Sequence, residues 1–208
     1  MTSPTIPGEI KRGRPRSEQV ERAILRAAAD ILAERGLEAM TIEDVAARAG
    51  VGKTSIYRRW STKGTLALDA FLLDFLQSQP LPDTGSLDGD LVAVLRAWVR
   101  TARETSMGRA LTELVAQAQY DPDLAAAWRQ RVVGPTRAQH RRVFERAISR
   151  GEIPTGSDVD VMMDLLFGPA YHRLLHGHAP LSDRFIRRVV AMVVAGAKAG
   201  AAVPTTSR

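Results

Sequence analysis

The 208-residue chain contains no cysteine, and aromatic residues make up only 5% of it. Without cysteine, the chain can form neither a disulfide nor a thiolate zinc site, and it has no cysteine nucleophile. Alanine, leucine and valine fill most apolar positions, a composition that favours helices over sheets. No stretch alternates apolar and polar residues as a half-buried strand does. We therefore expect an all-α protein of about nine helices.

Long apolar runs are also missing. The most apolar stretch, residues 189–197, is much shorter than the ~20 residues that a membrane-spanning helix needs. The charged N-terminus is not followed by the apolar run of a secretory signal. We therefore expect a cytoplasmic protein with no membrane partner. We also predict that it has no cofactor and is not an enzyme.

Acidic residues are absent from one segment of this basic chain, whose formal net charge is +6. Between Val45 and Leu68 there are five basic residues and no acidic one. Residues 1–16 add four more basic side chains. Such clustering of positive charge favours a polyanionic partner, for which double-stranded DNA is the leading candidate. The contact is expected in the first third of the chain.

Residues 1–16 are rich in proline and glycine, and we expect them to form a disordered arm in the absence of a partner. Arginine and lysine in flexible arms can enter a narrow minor groove. We therefore predict that Arg14 and Arg16 contact DNA. The alternative is a tail that only keeps the protein soluble.

Helix signals divide residues 17–64 into a three-helix unit. Ser17 can cap a first helix, which Gly36 is placed to end in the left-handed conformation. Thr41 opens a second helix with the spacing of a capping box. Gly50 breaks that helix, and a short third helix follows. Two short helices across a tight glycine turn are typical of a helix-turn-helix.

The sequence A-R-A-G-V-G-K-T at residues 47–54 also differs by one residue from a phosphate-binding loop. That loop requires glycine where Ala47 stands and a buried strand before it, whereas the preceding residues have helical periodicity. A nucleotide hydrolase therefore stays as a second, disfavoured hypothesis. A third is an architectural DNA-binding protein without an effector.

The third helix, which we predict to run through Trp60, has two distinct faces. At 100° per residue, Ile56 and Trp60 share the face that turns inward. Hydroxyl and guanidinium groups on the opposite face suit base edges, and neighbouring groups suit phosphates, although a solvated charged face is the alternative. The residues predicted to read bases are Thr54, Ser55, Arg58 and Arg59, and those predicted to contact phosphates are Tyr57 and Lys63.

Residues 18–77 resemble the DNA-binding domain of the tetracycline-repressor (TetR) family. The matching stretches are A-I-L-R-A-A-A-D-I-L-A-E-R-G-L and T-I-E-D-V-A-A-R-A-G-V-G-K-T-S-I-Y-R-R-W-S-T-K-G-T-L. The resemblance implies a homodimeric transcription regulator, most often a repressor. By position, it also implies that Lys53, Thr54, Ser55, Tyr57 and Arg59 lie on the recognition helix, that Lys63 contacts a phosphate, and that Thr41 marks a phosphate-contacting helix N-terminus.

Residues 65–208 are expected to form a helical region for effector binding and dimerisation. This region is similar to its counterpart in the TetR family only in helix number, length and two short stretches, D-P-D-L and G-P-A-Y. Its last helix is apolar on more than one face, which indicates either a second subunit or a buried position in one subunit. The predicted dimer-interface residues are Leu166, Phe185, Val189, Met192 and Val193.

Large or pliable apolar side chains in the same region are candidates for an effector pocket. Such groups can line an apolar cavity, with Arg103 or Tyr171 orienting a polar end of the ligand. The alternative is that they are simply core. The predicted effector-binding residues are Trp98, Arg103, Met107, Leu114, Trp128, Phe144, Met163, Phe167 and Tyr171.

His172, His176 and His178 raise the question of a metal site, because an i, i+4 histidine pair can chelate. No carboxylate lies at a matching position nearby. We therefore interpret them as surface or interface histidines and predict no metal.

Overall fold

The computed structural model describes residues 14–75, 81–104 and 106–199. Within these residues every regular element is helical, and there are nine helices when one long, locally distorted helix is counted once. The predicted all-α fold is confirmed. The helices are α1 (Arg14–Ala39), α2 (Ile42–Ala49), α3 (Lys53–Tyr57), α4 (Lys63–Phe75), α5 (Leu87–Glu104), α6 (Ser106–Gln117), α7 (Pro122–Trp128, Arg129–Val133 and Gly134–Ser149), α8 (Val159–His176) and α9 (Asp183–Ala199).

α1 begins earlier than the sequence signals suggest. It starts at Arg14, so the backbone of Arg14 and Arg16 lies in its first turn and not in an extended arm. Pro15 is compatible with this start, because the first-turn amides of a helix have no partner within it. The rest of the predicted arm lies outside the described residues. At its other end α1 is interrupted by Gly36, whose φ of 82° and ψ of 176° are not helical.

α2 and α3 meet at a tight turn centred on Gly50. The Oγ1 atom of Thr41 accepts the amide of Asp44 at 3.1 Å and caps the start of α2. Gly50 then adopts the left-handed conformation, with φ 66° and ψ 34°, and ends α2. α3 ends at Tyr57, earlier than predicted, although the Trp60 amide still bonds the Ile56 carbonyl at 3.0 Å.

α7 is one long helix with a π-helical segment, Arg129–Val133, in its middle. The sequence predicts a kink or a division at Gly134-Pro135, and the distortion lies immediately before them. A π-helical turn accommodates the missing amide of proline and is often found at functional positions. The helix therefore continues across the proline with a local change in its winding.

The N-terminal and C-terminal helices share a single buried apolar core. α1 packs against α2, α4 and α6, and α4 also contacts α6 and α7. α5 packs against α8 and α9. The three-helix unit therefore rests directly on the helices that follow it. No helix in the described part of the chain is both long and apolar enough to cross a membrane.

Candidate DNA-binding interface and effector region

α3 presents the two faces that its spacing predicts. Ile56 is fully buried and Trp60 is 5% exposed, so both point into the core. Thr54 and Arg58 are exposed, and Tyr57 is 55% exposed. The predicted orientation of this helix is confirmed. Contact of these outward side chains with bases or phosphates stays a prediction.

The inward position of Trp60 is fixed by a polar contact as well as by packing. Its Nε1–H donates to Oδ2 of Asp69 on α4 at 2.8 Å. The other carboxylate oxygen of Asp69 accepts a hydrogen bond from Arg131, which lies in the π-helical segment of α7. Asp69 therefore connects the anchor of α3 to the C-terminal helices. Sequence reasoning missed it, because a partly exposed aspartate on a helix carries no distinguishing pattern.

Arg59 does not share the outward face that the sequence assigns to it. Its side chain is only 14% exposed and lies against α1. Its Nη2 donates to Oγ of Ser17 at 2.8 Å, its Nη1 donates to the carbonyl of Ser55 at 2.9 Å, and its Nε lies 3.8 Å from a Glu21 oxygen. α3 ends before residue 59, and the turn that follows directs the guanidinium back toward α1.

Three further predicted DNA-contacting residues are near the surface of the same unit. Thr41 is exposed at the start of α2. Nζ of Lys53 donates to Oε1 of Glu43 at 2.7 Å, and this hydrogen bond raises the pKa of Lys53 and lowers that of Glu43. Nζ of Lys63 donates to the carbonyl of Glu38 at 3.1 Å. The Glu43 carboxylate therefore offsets part of the positive charge of Lys53 when no DNA is present.

Two predicted contacts cannot be placed. The side chains of Arg14 and Arg16 lie outside the described residues. Their contact with DNA stays a prediction.

The glycine-lysine sequence of the candidate phosphate loop lies between two helices. Gly52 precedes α3 directly, and α2 ends only a few residues earlier. No strand is present in the described ranges, so the loop has no sheet edge on which a nucleotide phosphate would sit. This geometry contradicts the nucleotide hydrolase hypothesis.

Most predicted effector-binding side chains are part of the core. Leu114 and Phe144 are fully buried, Met163 is 1% exposed, and Trp128 is 8% exposed. Trp128 packs toward Phe71 of α4 with ring centroids 6.0 Å apart. Arg103 is exposed, and the side chain of Met107 lies outside the described residues. Most of the predicted set is therefore packed in the core of the described structure, and its contact with an effector stays a prediction.

Three of these residues form an aromatic cluster between α5 and α8. The ring of Trp98 lies 4.7 Å from that of Tyr171 and 6.3 Å from that of Phe167, measured between centroids. Burial raises the pKa of the Tyr171 phenol. This cluster is the part of the predicted effector region that the structure does bring together.

His140 of α7 extends the aromatic cluster and was missed by sequence reasoning. It is 4% exposed, and its ring stacks on Phe167 at 5.1 Å. Burial lowers its pKa to about 4, so the ring is neutral at physiological pH. Nε2 of His140 has no hydrogen-bond partner among the described residues. A signal was available, since His140 is in helical register with the buried Phe144 and Ala147.

The predicted dimer-interface residues need a correction. Leu166 is fully buried, and Val189 and Val193 are 7% and 4% exposed, because they pack inside their own subunit. Phe185 is partly covered by the guanidinium of Arg173 at 3.8 Å. Met192 alone of the predicted five is strongly exposed, at 66%.

A different apolar surface remains open on α8 and α9. We call it the α8–α9 stripe. Two of its members on α8, Val161 and Leu165, each precede a buried residue, and neighbouring residues point about 100° apart. The stripe consists of Val161, Leu165, Leu175 and Met192, which are 48–66% exposed.

The histidines near the end of α8 lie close together. The ring of His172 is 4.7 Å from that of His176 and 4.9 Å from that of His178. Across the described part of the chain, no group of three or more histidine, aspartate or glutamate side chains is arranged to hold a metal ion.

A short helix with a polar outward face, set against a second helix by a left-handed glycine, defines a helix-turn-helix DNA-binding protein. The all-helical region that shares its core is typical of a regulator with a separate ligand-responsive part. Residues 24–70 match the family of bacterial regulatory proteins, tetR family, and residues 81–193 match the tetracyclin repressor-like, C-terminal domain. The chain belongs to the TetR family of transcriptional regulators, as its sequence motifs predict.

Individual relatives agree with this assignment over nearly the whole chain. The chain is 39% identical to the uncharacterized HTH-type transcriptional regulator YdeS of Bacillus subtilis, over 93% of this chain and 98% of the relative. It is 33% identical to the DNA-binding transcriptional repressor TetR of Mycobacteroides abscessus, over 87% and 93%. The crystal structure of the TetR family transcription regulator SCO0332 is similar with a TM-score of 0.76 and 38% identity, covering 86% of this chain and 98% of that one.

Proposed function

We propose that this chain is a homodimeric repressor that binds a palindromic operator and leaves it when a small molecule binds among α5 to α8. The observation that carries the proposal is the orientation of α3. Ile56 and Trp60 hold the helix from inside, which leaves Thr54, Tyr57 and Arg58 free to face a duplex. The relative in Mycobacteroides abscessus is named as a repressor, which supports the same sign of regulation here.

In the DNA complex, α3 lies in the major groove. The Arg58 guanidinium can bond a guanine in bidentate fashion, and the Thr54 hydroxyl can contact a base edge. Lys53 and Lys63 contact phosphates, which requires Lys53 to leave Glu43. Arg59 acts differently from the sequence-based prediction: it positions the end of α3 through its bonds to Ser17 and Ser55.

The dimer forms through the α8–α9 stripe. Exposed apolar side chains on adjacent helices of one subunit, repeated by a twofold axis, produce a four-helix interface. Two recognition helices are then set to meet half-sites about 34–36 Å apart, or somewhat more if the DNA is deformed.

Two contacts link the effector region to the DNA-binding unit. Arg131 bonds Asp69, and Asp69 bonds the anchor Trp60. In the second contact, the Glu113 carboxylate on α6 accepts a hydrogen bond from the amide of Leu37, just beyond the break in α1. A shift of α6 or α7 on ligand binding therefore moves the three-helix unit at two points, near the end of α1 and just after α3. The coupling required is modest, typically ~1–3 kcal/mol.

Selection of bound sequences from random double-stranded DNA tests the DNA-binding part of the proposal. We expect the purified protein to enrich a palindrome. Arg58→Ala should relax the preference at one position of each half-site, with a loss of about 1–3 kcal/mol in discrimination. Arg142→Ala, which removes an equal charge from an exposed position on α7, is the control and should leave the selected sequence unchanged. Enrichment of no sequence would instead favour the architectural DNA-binding hypothesis.

Sedimentation tests the dimer. The parent protein should have about twice the chain mass of 22.7 kDa. Leu165→Glu should produce monomers, because a charge in an apolar interface is costly. Tyr120→Glu is the matched control, since Tyr120 is 90% exposed outside the stripe. A parent protein that stays monomeric at all concentrations would refute this interface.

A further inference from the structure

We propose that a surface cavity between the C-terminal ends of α5 and α8 holds the acidic group of the effector, which is therefore an anionic amphiphile: a carboxylate or phosphate on an apolar body. This inference rests on the proposed function for its regulatory consequence, but the binding itself can be measured without DNA. The cavity has a volume of about 380 Å³, which is within the usual range for small-molecule sites.

The walls of this cavity are cationic or apolar. Arg103 comes from the last turn of α5, Arg173 from the last turn of α8, and His178 from the loop that follows α8. Leu174 and Leu181 supply apolar surface between them. Among the described residues that line the cavity, none is acidic. Two guanidinium groups beside apolar walls favour a ligand that combines an oxyanion with a hydrocarbon body.

Arg173 is held in place before any ligand arrives. Its Nη1 donates to the carbonyl of Pro180 at 2.6 Å, and its guanidinium carbon lies 3.8 Å from the centroid of the Phe185 ring. These contacts use one donor and one face of the guanidinium, and the group has five N–H donors in all. An immobilised arginine loses little entropy when it binds an anion, so it is suited to recognition.

The first acidic residue after the α8–α9 loop does not pair with Arg103 or Arg173. Asp183, at the start of α9, accepts Nε of Arg96 at 2.5 Å and Nε of Arg187 at 3.0 Å. These two arginines lower the pKa of the Asp183 carboxyl and occupy it. An anionic ligand would therefore supply a charge that the described walls of the cavity lack.

The apolar wall of the cavity lies next to the aromatic cluster along α8. Leu174 is one turn of α8 beyond Tyr171, whose ring contacts Trp98. One further turn along α8, Phe167 stacks on His140. The apolar body of the ligand therefore lies against Leu174 and Leu181, and the aromatic cluster is adjacent along α8.

Titration calorimetry with three matched probes tests this inference: octanoate, octyl phosphate and octan-1-ol. The two anions should bind with dissociation constants at least about tenfold lower than that of the alcohol, since a charge-assisted hydrogen bond contributes more than a neutral one. Whichever anion binds more tightly identifies the acidic group. Trp98 should report binding by a change in fluorescence, which Trp98→Phe should remove.

Arg103→Gln is the diagnostic variant, because Arg103 is exposed and its loss should not affect folding. It should weaken both anions about tenfold and leave octan-1-ol unchanged. Arg100→Gln is the matched control: it removes the same charge from an exposed position on the same helix, outside the cavity. Circular dichroism should show both variants to be as helical as the parent.

Three results would overturn the inference: octan-1-ol binding as tightly as octanoate, equal effects of Arg103→Gln and Arg100→Gln, or no heat from either anion at millimolar concentration. These results are distinct from a failure of the proposed function. A protein that binds the anions but selects no DNA sequence would support the anion site and contradict the proposed repressor function. A protein that selects an operator but ignores the anions would do the reverse.

Discussion

In α3 the candidate site residues project into solvent, whereas the aromatic candidates on α5 and α8 are themselves part of the core. Thr54, Tyr57 and Arg58 contribute little to the packing that holds α3, because Ile56 and Trp60 do so. In the C-terminal region most of the predicted effector-binding side chains are packed in the core, so a role in recognition would fall on residues that also hold the fold together. Trp98, for example, is 4% exposed and lies in contact with Tyr171.

Because of this difference, DNA affinity and folding stability depend on different residues of α3, whereas in the aromatic cluster ligand affinity and folding stability depend on the same residues. On α3, outward substitutions should change DNA binding while the free energy of unfolding stays nearly constant. In the aromatic cluster, any substitution that changes ligand recognition also changes core packing. Outward residues of α3 can therefore be substituted without loss of folding stability, whereas substitutions in the aromatic cluster are limited by core packing.

The largest expected effect comes from truncating the buried side chain that holds α3 in place. Ile56→Ala should lower the free energy of unfolding by roughly 2–5 kcal/mol, because a fully buried side chain leaves a cavity. Urea denaturation followed by circular dichroism measures the loss. Tyr57→Ala, at the adjacent and 55% exposed position, is the control and should stay within about 0.5 kcal/mol of the parent. Equal losses of unfolding free energy in the two variants would show that Ile56 does not hold α3 in place more than Tyr57 does.

His140 provides the corresponding test in the C-terminal region. Its pKa is about 4 in the folded protein against an ordinary value of 6.5, so the unfolded chain takes up a proton first as the pH falls. Stability should therefore be unaffected by this group above pH 6.5 and decrease between pH 6.5 and 4, by about 3 kcal/mol in total.

Urea denaturation of the parent and of His140→Phe across this pH range measures the effect. The phenyl ring keeps the stack on Phe167 and cannot take up a proton, so the variant should lose less stability than the parent as the pH falls. Parallel pH profiles for the two proteins would show that His140 is not held neutral by burial.

The same contrast explains which features could be predicted from the sequence. The fold class and the orientation of α3 follow from local rules: capping by Thr41, the turn at Gly50, and helical spacing between Ile56 and Trp60. These rules act over a few residues, so a single stretch of sequence contains all the information. The outward face of α3 can therefore be predicted from helical spacing alone.

The remaining features depend on contacts between distant parts of the chain. Leu165 and Leu166 are equally apolar, and only the way α8 packs against its neighbouring helices decides that Leu166 is buried while Leu165 is open. Arg59 turns back to α1 because α3 ends at Tyr57, and Asp69 gains its role from Arg131, which is 62 positions away. Sequence spacing carries no information about such pairs.

A smaller effect is expected at the turn that fixes α3 against α2. Gly50 has a φ of 66°, and no atom lies within 4 Å of an added Cβ, so Gly50→Ala should cost about 1–2 kcal/mol from backbone strain alone. Gly52→Ala is the matched control: its added Cβ also meets open space, but its φ is −78°. Urea denaturation should show the smaller loss for Gly52→Ala. The reverse order would indicate that the turn does not depend on the left-handed conformation.

The smallest expected effect concerns the carboxylate of Glu43, which pairs with Lys53 at the start of α3. Glu43 holds Lys53 at 2.7 Å, and both side chains are exposed, so the ion pair should contribute little to folding. Glu43→Gln should leave the unfolding transition unchanged but raise operator affinity roughly two- to fivefold at low ionic strength, because a repulsive carboxylate is removed and Lys53 becomes available to a phosphate. Fluorescence anisotropy with labelled operator DNA measures this gain, which salt should reduce. Glu145→Gln, at an exposed position on α7, removes the same charge far along the chain and should give a smaller increase. An identical increase in the two variants would mean that net charge alone matters, and Lys53 would then have no specific role as a phosphate contact.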